Sequence, residues 1–378
     1  MTKLYNFIKA LWNIARFRYT YSIISDAGSK ESFVLIGNSS GRNPYCRTYL
    51  NQRDRPNVRP VWYIGGLGIA EKLGKKYGLV VISEIAAPDN LLDKVLHVPN
   101  FVALTIDLSR GLSDYLRRVS STTKQNIRQL EQRGFSFQIS TDPSWVPSFY
   151  EQYLLPTMVM SHGDEAYISS RSTILDKLKE VGSEFVQVYL GGECVAAGLR
   201  QRRGDCYHMM NLGWRNGTAE LRKKGVVTAV LWYSVRRAYE LGCTMVSFGG
   251  TPPYLENGVT SFKMPWNTGI CKEHTVYGYR DLLLNPALKH CYDFLKNNSI
   301  IAYGVNNCFI ILSSKLPEDF HLRCEFMKGI EAWYLLRKEE DNRWDEFSHR
   351  HLPLPLRGWY EYVPMPHRHT ASSGGRGE

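Results

Sequence analysis

A basic turn formed by Arg222, Lys223, Lys224 and Gly225 opens a helical run, and its residue types suit the binding of a phosphate or pyrophosphate. A helix N-terminus presents unpaired N–H groups and the positive end of the helix dipole. We therefore predict a ligand-binding turn that ends at the first helical residue, Val226. A turn with a single glycine is a weaker signal than a full phosphate loop, so an ordinary solvated helix cap stays open as an alternative.

Polar residues on both sides of this turn could carry acid–base or electrostatic chemistry. They are His208, Asn211, Tyr254, Glu256 and Lys263. Strand alternation puts His208 and Asn211 on opposite faces, so one of the two is expected to be structural. His208 could equally be a core histidine, because its strand face is otherwise apolar. Tyr254 and Glu256 lie in a loop after a predicted strand, where ligand-binding residues are common.

The elements around the turn follow a clear order. Apolar residues at helical spacing predict a helix over residues 226–241, and a glycine ends it. Residues 244–248 are typical of a short strand, and Gly249 and Gly250 begin a loop rich in glycine and proline. Residues 261–263 are predicted to enter another strand.

Upstream of the turn, the sequence predicts a basic helix followed by a series of hairpins. The helix covers residues 112–134 and carries Lys124 and Arg128, which could contact a substrate or lie on a solvated face. The hairpins cover residues 185–214 and lead directly into the turn. Downstream, a final helix is predicted over residues 322–336.

Residues 221–266 resemble the second half of the Fem-type and related acyltransferases of the GNAT superfamily. Those proteins carry a turn, a long helix, a strand ending in an Asp-Phe-Gly-like sequence, a glycine-rich loop and a Phe-Lys pair. The matching segments of this chain are residues 222–225, 226–241, 247–250 and 262–263. Residues 120–139 are similar to the family's basic helix and the strand after it, so the resemblance spans residues 120–279.

Two positions depart from the family's pattern. Ser247 stands where the family often has Asp, and Val227 replaces the last small residue of the turn pattern Arg/Gln-x-x-Gly-x-Gly/Ala. The incomplete turn leaves the identity of the acyl donor open.

The resemblance implies an N-acyltransferase that moves an acyl group from acyl-CoA to an amine. One alternative is a Fem-like enzyme that uses aminoacyl-tRNA, with a cell-wall, polysaccharide or peptide acceptor. Another is a non-catalytic protein that binds RNA or membrane on this scaffold. The candidate catalytic residues are Lys263, which matches the lysine of the family's Phe-Lys pair, and His208, Tyr254 and Glu256, which are chosen by position. The candidate donor-binding residues are Arg222, Lys223, Lys224, Gly225 and Val226, and the candidate substrate-binding residues are Asn211, Gly249, Gly250, Lys124 and Arg128. Neither a metal nor a permanently bound cofactor is expected.

The composition favours a globular protein of two domains in a reducing compartment. The chain has 378 residues, of which 43% are hydrophobic, and this length supports more than one domain. Its net charge of +11 would attract nucleic acid, anionic lipid or phosphorylated substrates without choosing among them. None of the 8 cysteines forms a Cys-x-x-Cys pair, which argues against a zinc ribbon or a disulfide framework and favours buried thiols in the cytoplasm.

The expected fold class is α/β, or α+β, with two tandem GNAT-like halves whose mixed central sheets are flanked by helices. Residues 1–21 are expected to form a basic amphipathic helix, and residues 22–155 a first, degenerate GNAT-like domain. Residues 156–338 are expected to form the acyltransferase domain, and residues 339–378 a partly disordered extension.

The N-terminal segment leads to a first testable prediction. Residues 1–21 combine an apolar helical face with basic residues and lack acidic ones, so they could lie in the plane of an anionic membrane or dock on their own domain. We expect the chain to sediment with anionic vesicles and to lose this affinity when salt is added or residues 1–21 are removed. Equal sedimentation of the truncated chain would contradict the membrane interpretation.

Overall fold

The chain forms two compact units in the computed structural model, which describes residues 20–25, 32–37, 57–62, 69–83, 94–162, 168–271, 278–304, 308–318, 328–338, 350, 352 and 354–363. The first unit comprises Met1–Val102, Pro252–Ser261 and Thr275–Glu378. The second unit comprises Ala103–Thr251 and Phe262–His274. The predicted helix over residues 1–21 and the tail after residue 363 lie outside the described residues, apart from the strand that begins at Thr20.

The first unit is built on one mixed sheet. Its strands are β1 (Thr20–Ser25), β2 (Ser32–Gly37), β3 (Asn57–Trp62), β4 (Leu79–Ser83), β5 (Leu96–Pro99), β13 (Tyr279–Leu284), β14 (Ile300–Tyr303), β15 (Phe309–Ser313), β16 (Ile330–Leu336) and β17 (Tyr360–Val363). Among the described residues, their order across the sheet is β17-β16-β15-β14-β5-β13-β4-β2-β1-β3. The helices α1 (Ile69–Tyr77) and α9 (Lys289–Asn297) also belong to this unit. All five residues of β4 are buried, as in a strand covered on both faces.

The second unit contains a smaller mixed sheet. Its strands are β6 (Val102–Asp107), β7 (Phe135–Ser140), β8 (Ser183–Leu190), β9 (Glu193–Arg203), β10 (Cys206–Trp214), β11 (Met245–Thr251) and β12 (Gly269–Cys271). In the described part of this unit, the strand order is β12-β6-β11-β10-β9-β8-β7. Neighbouring strands are antiparallel in the β7-β8-β9-β10 series, and β11 runs parallel to β10.

Helices cover both faces of this second sheet. They are α2 (Leu112–Arg118), α3 (Ser121–Gln132), α4 (Leu155–His162), α5 (Arg171–Lys179), α6 (Ala219–Lys223) and α7 (Val226–Glu240). An irregular helical run with a π-helical stretch at Phe149–Leu154 leads into α4. The apolar side of α7 packs with α3 on one face, and the π-helical stretch packs with α5 on the other. Within the part of the chain that the structure describes, no helix is long and apolar enough to cross a membrane.

Three predicted elements differ from the structure. The single helix over residues 112–134 is two helices, because Ser120 leaves helical geometry and its side chain accepts a hydrogen bond from the Thr123 N–H as an N-cap. The strand expected at residues 261–263 is the end of a short helix, α8 (Gly258–Lys263). The helix expected over residues 322–336 is wrong for its last seven residues, which form β16 and pair with β15.

The boundaries of the two compact units differ from those of the predicted domains over residues 22–155 and 156–338. The second unit begins at Ala103 instead of residue 156, because β6 pairs with β12 and β7 pairs with β8 in the second sheet. Residues beyond 274 return to the first sheet, where β13 pairs with both β4 and β5. The predicted C-terminal extension includes β17, which pairs with β16.

Candidate active site

The parallel pair of β10 and β11 forms the centre of the candidate site. The two strands pair from Cys206 opposite Met245 to His208 opposite Ser247, where the ladder ends. Both strands continue beyond this point, β10 to Trp214 and β11 to Thr251. Because the carboxyl ends of parallel strands gather functional groups at one sheet edge, a ligand group could enter where the pairing stops.

A β-bulge in β10 changes which side chains share a face. His208 pairs with Gln201 of β9 and Asn211 pairs with Leu199, with a register shift between Met209 and Asn211. Since Gln201 and Leu199 are two residues apart, His208 and Asn211 lie on the same face of the sheet. The prediction that they lie on opposite faces is therefore wrong, because simple alternation does not anticipate the extra residue.

A third polar residue, Ser247, lies on the same face as His208 because the two are directly paired on neighbouring strands. Its hydroxyl accepts a hydrogen bond from the Gly249 N–H at 3.3 Å. Gly249 has φ of 75°, and an added side chain would meet the Met209 carbonyl oxygen at 3.3 Å. Glycine at this position therefore permits the left-handed backbone and the close approach of β10. The polar face is His208, Asn211 and Ser247.

Lys263 is a buried cation at the end of β11. Only 9% of the residue is exposed, and its Nζ donates hydrogen bonds to the carbonyl oxygens of Gly249 at 3.3 Å and Gly250 at 3.1 Å. Burial lowers the pKa of the ammonium from 10.5 to about 8, because the charged form loses hydration. Lys263 is thus a buried residue at the end of α8 and not a residue of the predicted strand.

The Gly225 turn places a left-handed glycine directly before α7. Gly225 has φ of 93°, a left-handed conformation that favours glycine, and it precedes the first residue of α7, Val226. The first N–H groups of such a helix have no partner within the helix. Arg222 and Lys223 are exposed beside it, whereas the Lys224 ammonium pairs with Glu220 at 2.7 Å.

Arg133 is a further basic residue at this turn that local sequence reasoning did not single out. Its Nη1 donates to the Lys224 carbonyl at 2.8 Å and its Nη2 donates to Gln129 at 2.9 Å. The C-terminal end of α3 is therefore fixed against the turn, although the two segments are 91 positions apart in the chain. The pattern that could have found it is a cation immediately before the glycine that ends a helix.

The two predicted contacts on α3 differ in their surroundings. Lys124 is half-buried, and its ammonium donates to the Arg117 carbonyl at 2.7 Å, so it satisfies the end of α2. Arg128 is exposed on the same helix and stays available as a substrate contact.

Tyr254 and Glu256 belong to the first unit and not to the polar face of the second. Tyr254 is 3% exposed, lies in the apolar core of the first unit and bridges to Ile300. The Glu256 carboxylate accepts hydrogen bonds from the N–H of Ser299 at 2.6 Å and from its hydroxyl at 2.7 Å. Both placements give these residues a structural use.

Residues 117–264 match the acetyltransferase (GNAT) domain family. This region contains the Gly225 turn, the polar face and Lys263, and it forms most of the second unit. The second unit therefore carries a GNAT domain on a mixed α/β fold. The chain is a transferase of the acyl-transferring class, which acts on a donor and an acceptor.

Several solved structures are similar to parts of the chain. FemX is 12% identical and covers 69% of this chain and 83% of its own, with a TM-score of 0.40. L-PGS from Bacillus licheniformis is 13% identical, and the match covers 71% of this chain and 83% of L-PGS, with a TM-score of 0.35. The ribosomal-protein-S18-alanine N-acetyltransferase from Escherichia coli is 16% identical, and the match covers 29% of this chain and 63% of the acetyltransferase, with a TM-score of 0.22. No curated protein matches the sequence. Because these scores are low, the class rests on the domain match.

Proposed function

We propose that this protein transfers an acyl group from acyl-CoA to an amine, with the pyrophosphate of the donor bound at the start of α7. The observation that carries the proposal is the Gly225 turn: a left-handed glycine, a long helix behind it and exposed cations beside it. Free N–H groups at a helix start bind phosphate oxygens, and Arg222 and Lys223 would add charge. CoA would be a co-substrate that leaves after each turnover.

The polar face and Lys263 supply the remaining parts of the reaction. The amine nitrogen attacks the acyl carbonyl carbon, the carbon–sulfur bond breaks, and the thiolate and the proton lost by the amine leave as thiol. The Lys263 ammonium favours the negative charge that develops on the carbonyl oxygen. His208 accepts the amine proton, and Asn211 and Ser247 orient the acceptor from the same face.

A second candidate donor is aminoacyl-tRNA, and one observation favours it. The exposed cations are not confined to the turn: the surface of α3 adds Arg133, which is fixed against Lys224, and Arg128. Such a surface suits a chain of phosphates longer than one pyrophosphate, and the net charge of +11 acts in the same direction.

Calorimetric titration with acetyl-CoA and with deacylated tRNA tests the proposal. A CoA enzyme is expected to bind acetyl-CoA with a modest salt dependence, and to release free thiol when an amine is added. A tRNA-dependent enzyme is expected to bind tRNA with an affinity that falls steeply with salt, because many counterions are released. Salt-dependent RNA binding, with no acyl transfer to an amine from either acetyl-CoA or aminoacylated tRNA, would contradict catalysis and favour the RNA-binding alternative.

Arg222 gives a second testable prediction. Its change to alanine is expected to weaken donor binding by about fivefold, since an exposed cation beside a helix N-terminus contributes about 1 kcal/mol to phosphate binding. The melting temperature is expected to stay constant, because the side chain is exposed. Arg171→Ala, at another exposed arginine of the second unit, is the matched control. Equal donor affinity in Arg222→Ala and wild type would remove Arg222 from the site.

A further inference from the structure

Arg200 is a charged residue inside the core of the second unit. It is 0% exposed, and among the residues that the structure describes no carboxylate lies within ion-pair distance of its guanidinium. Burial lowers its pKa to about 10. A charge without a counter-ion is costly in a protein interior, and an apolar side chain of similar size would pack there more favourably. Stability alone does not account for this residue.

The contacts of Arg200 lead to the bulge of β10. Its Nε donates to the Ser234 hydroxyl of α7 at 2.8 Å. Its Nη1 donates to the Leu199 carbonyl at 2.9 Å and to the Asn211 carbonyl at 2.8 Å. The second contact crosses from β9 to the residue at which the register of β10 shifts. Nη2 is buried and has no hydrogen-bond partner in the described part of the chain, so one donor group of the guanidinium is left unsatisfied.

Gly198 makes room for this arrangement. A methyl group at Gly198 would lie 2.3 Å from both Nη1 and Nη2 of Arg200 and 2.4 Å from its Cζ. The guanidinium therefore lies flat over Gly198, and from there it reaches the Asn211 carbonyl of β10. Gly198 therefore leaves the space in β9 that the Arg200 guanidinium occupies, next to the apolar residues Val195–Ala197.

We propose that Arg200 is a positioning residue that holds the bulge of β10, and thereby places His208 and Asn211 together on the polar face. This inference rests on the proposed acyl transfer, because it assigns the bulge to that reaction. Without the bond to the Asn211 carbonyl, β10 can return to regular alternation, which would turn Asn211 to the opposite face. The turn that binds the donor lies after β10 and keeps its own contacts.

The test compares the variants Arg200→Met, Arg200→Lys and Gly198→Ala in the full chain. Arg200→Met is expected to lower kcat by roughly 10- to 100-fold, with the donor dissociation constant within about twofold of wild type and an unchanged or higher melting temperature. Arg200→Lys is expected to recover part of kcat, because an ammonium can reach one carbonyl. Gly198→Ala keeps the arginine but displaces it, and is expected to lower kcat as well.

Amide hydrogen exchange over residues 208–214 gives a readout that does not depend on activity. Faster exchange there in Arg200→Met supports the proposal. Gly74→Ala, whose methyl group would meet the Leu283 side chain at 2.7 Å in the first unit, is the packing control, and it is expected to leave both kcat and this exchange unchanged.

Two results would overturn the inference. One is unchanged exchange over residues 208–214 in Arg200→Met. The other is a kcat of the folded variant equal to that of wild type, with a lowered melting temperature, which would make Arg200 purely structural. A wild-type protein without acyl transfer would refute the proposed function instead, and the exchange measurement would still decide whether Arg200 holds the bulge.

Discussion

Replacement of Lys263 by methionine is expected to lower turnover at least a hundredfold and to raise the melting temperature at pH 7. The loss of turnover follows if the ammonium stabilises a developing oxyanion in a site that excludes water, a contribution on the order of 3 kcal/mol. The gain in stability follows from burial, since methionine keeps most of the stem and removes a poorly hydrated charge. The lowering of the pKa from 10.5 to about 8 corresponds to roughly 3 kcal/mol, an upper bound because two hydrogen bonds to carbonyls are also lost.

The pH dependence of turnover distinguishes two roles for Lys263, a cation that stabilises charge and a general base. The pKa of Lys263 in the folded chain is about 8 and its ordinary value is 10.5, so the folded state disfavours the proton. The stability cost is fully present below pH 8 and disappears as pH rises from about 8 to 10.5. The ratio of wild-type to Lys263→Met turnover is expected to be constant below about pH 7 and to fall as pH rises through 8. A general base would give the opposite trend.

Lys179→Met serves as the control, because it removes a lysine whose side chain is 65% exposed on α5. It is expected to change neither turnover nor melting temperature. If Lys263→Met retained full turnover, the lysine would be a structural clamp on the Gly249 and Gly250 carbonyls. If only the affinity for an anionic acceptor fell, Lys263 would be an acceptor anchor.

Replacement of Gly225 by aspartate is expected to weaken donor binding by roughly a hundredfold while the protein stays folded. An aspartate at this N-cap can accept hydrogen bonds from the first N–H groups of α7, the groups assigned to the donor phosphate. Its negative charge also repels the phosphate. The left-handed φ of 93° costs about 1–2 kcal/mol for any residue but glycine, which the new cap partly offsets.

The control for this variant is Gly192→Asp in the hairpin between β8 and β9. Gly192 has φ of 82°, and an added side chain would meet nothing within 4 Å, so backbone strain and charge change are similar. Calorimetry then compares the affinities of the two variants for acetyl-CoA and for tRNA, and a difference between the variants is due to the position of the aspartate. Equal weakening by both variants would indicate a general effect of charge or stability and would contradict a donor site at Gly225.

The local part of the site could be predicted from the sequence. Helical spacing after Gly225 and the glycine after the helix placed α7 within one residue of its observed ends, and the apolar run after it placed β11. These features depend on neighbours in the chain, and hairpin turns such as that at Gly192 are equally local. The turn, the long helix and the strand therefore needed no tertiary information.

The rest of the site depends on contacts that local patterns do not contain. The bulge that puts His208 and Asn211 on one face exists only relative to β9, and alternation alone gives the wrong face. The buried ammonium of Lys263 donates to carbonyl groups of β11, a contact between separate elements of the chain. The helix that carries Lys263 has only six residues, too few to show a helical pattern of apolar residues. The core position of Tyr254 depends on β14, a strand that begins at Ile300.

The interruption of the first unit by the second has a consequence for how the chain folds during synthesis. Strands β4 and β5 have their partner β13 only after residue 279 has emerged, so the first sheet cannot close while the second unit is being made. The described strands of the second unit are all present once Cys271 has emerged, and short hairpins join β8 to β9 and β9 to β10. Because domains fold as their chain becomes available, we expect the acyltransferase unit to fold first on the ribosome. Strand β5 and the edge of β4 that faces β13 then stay unpaired until the C-terminal third of the protein has been made.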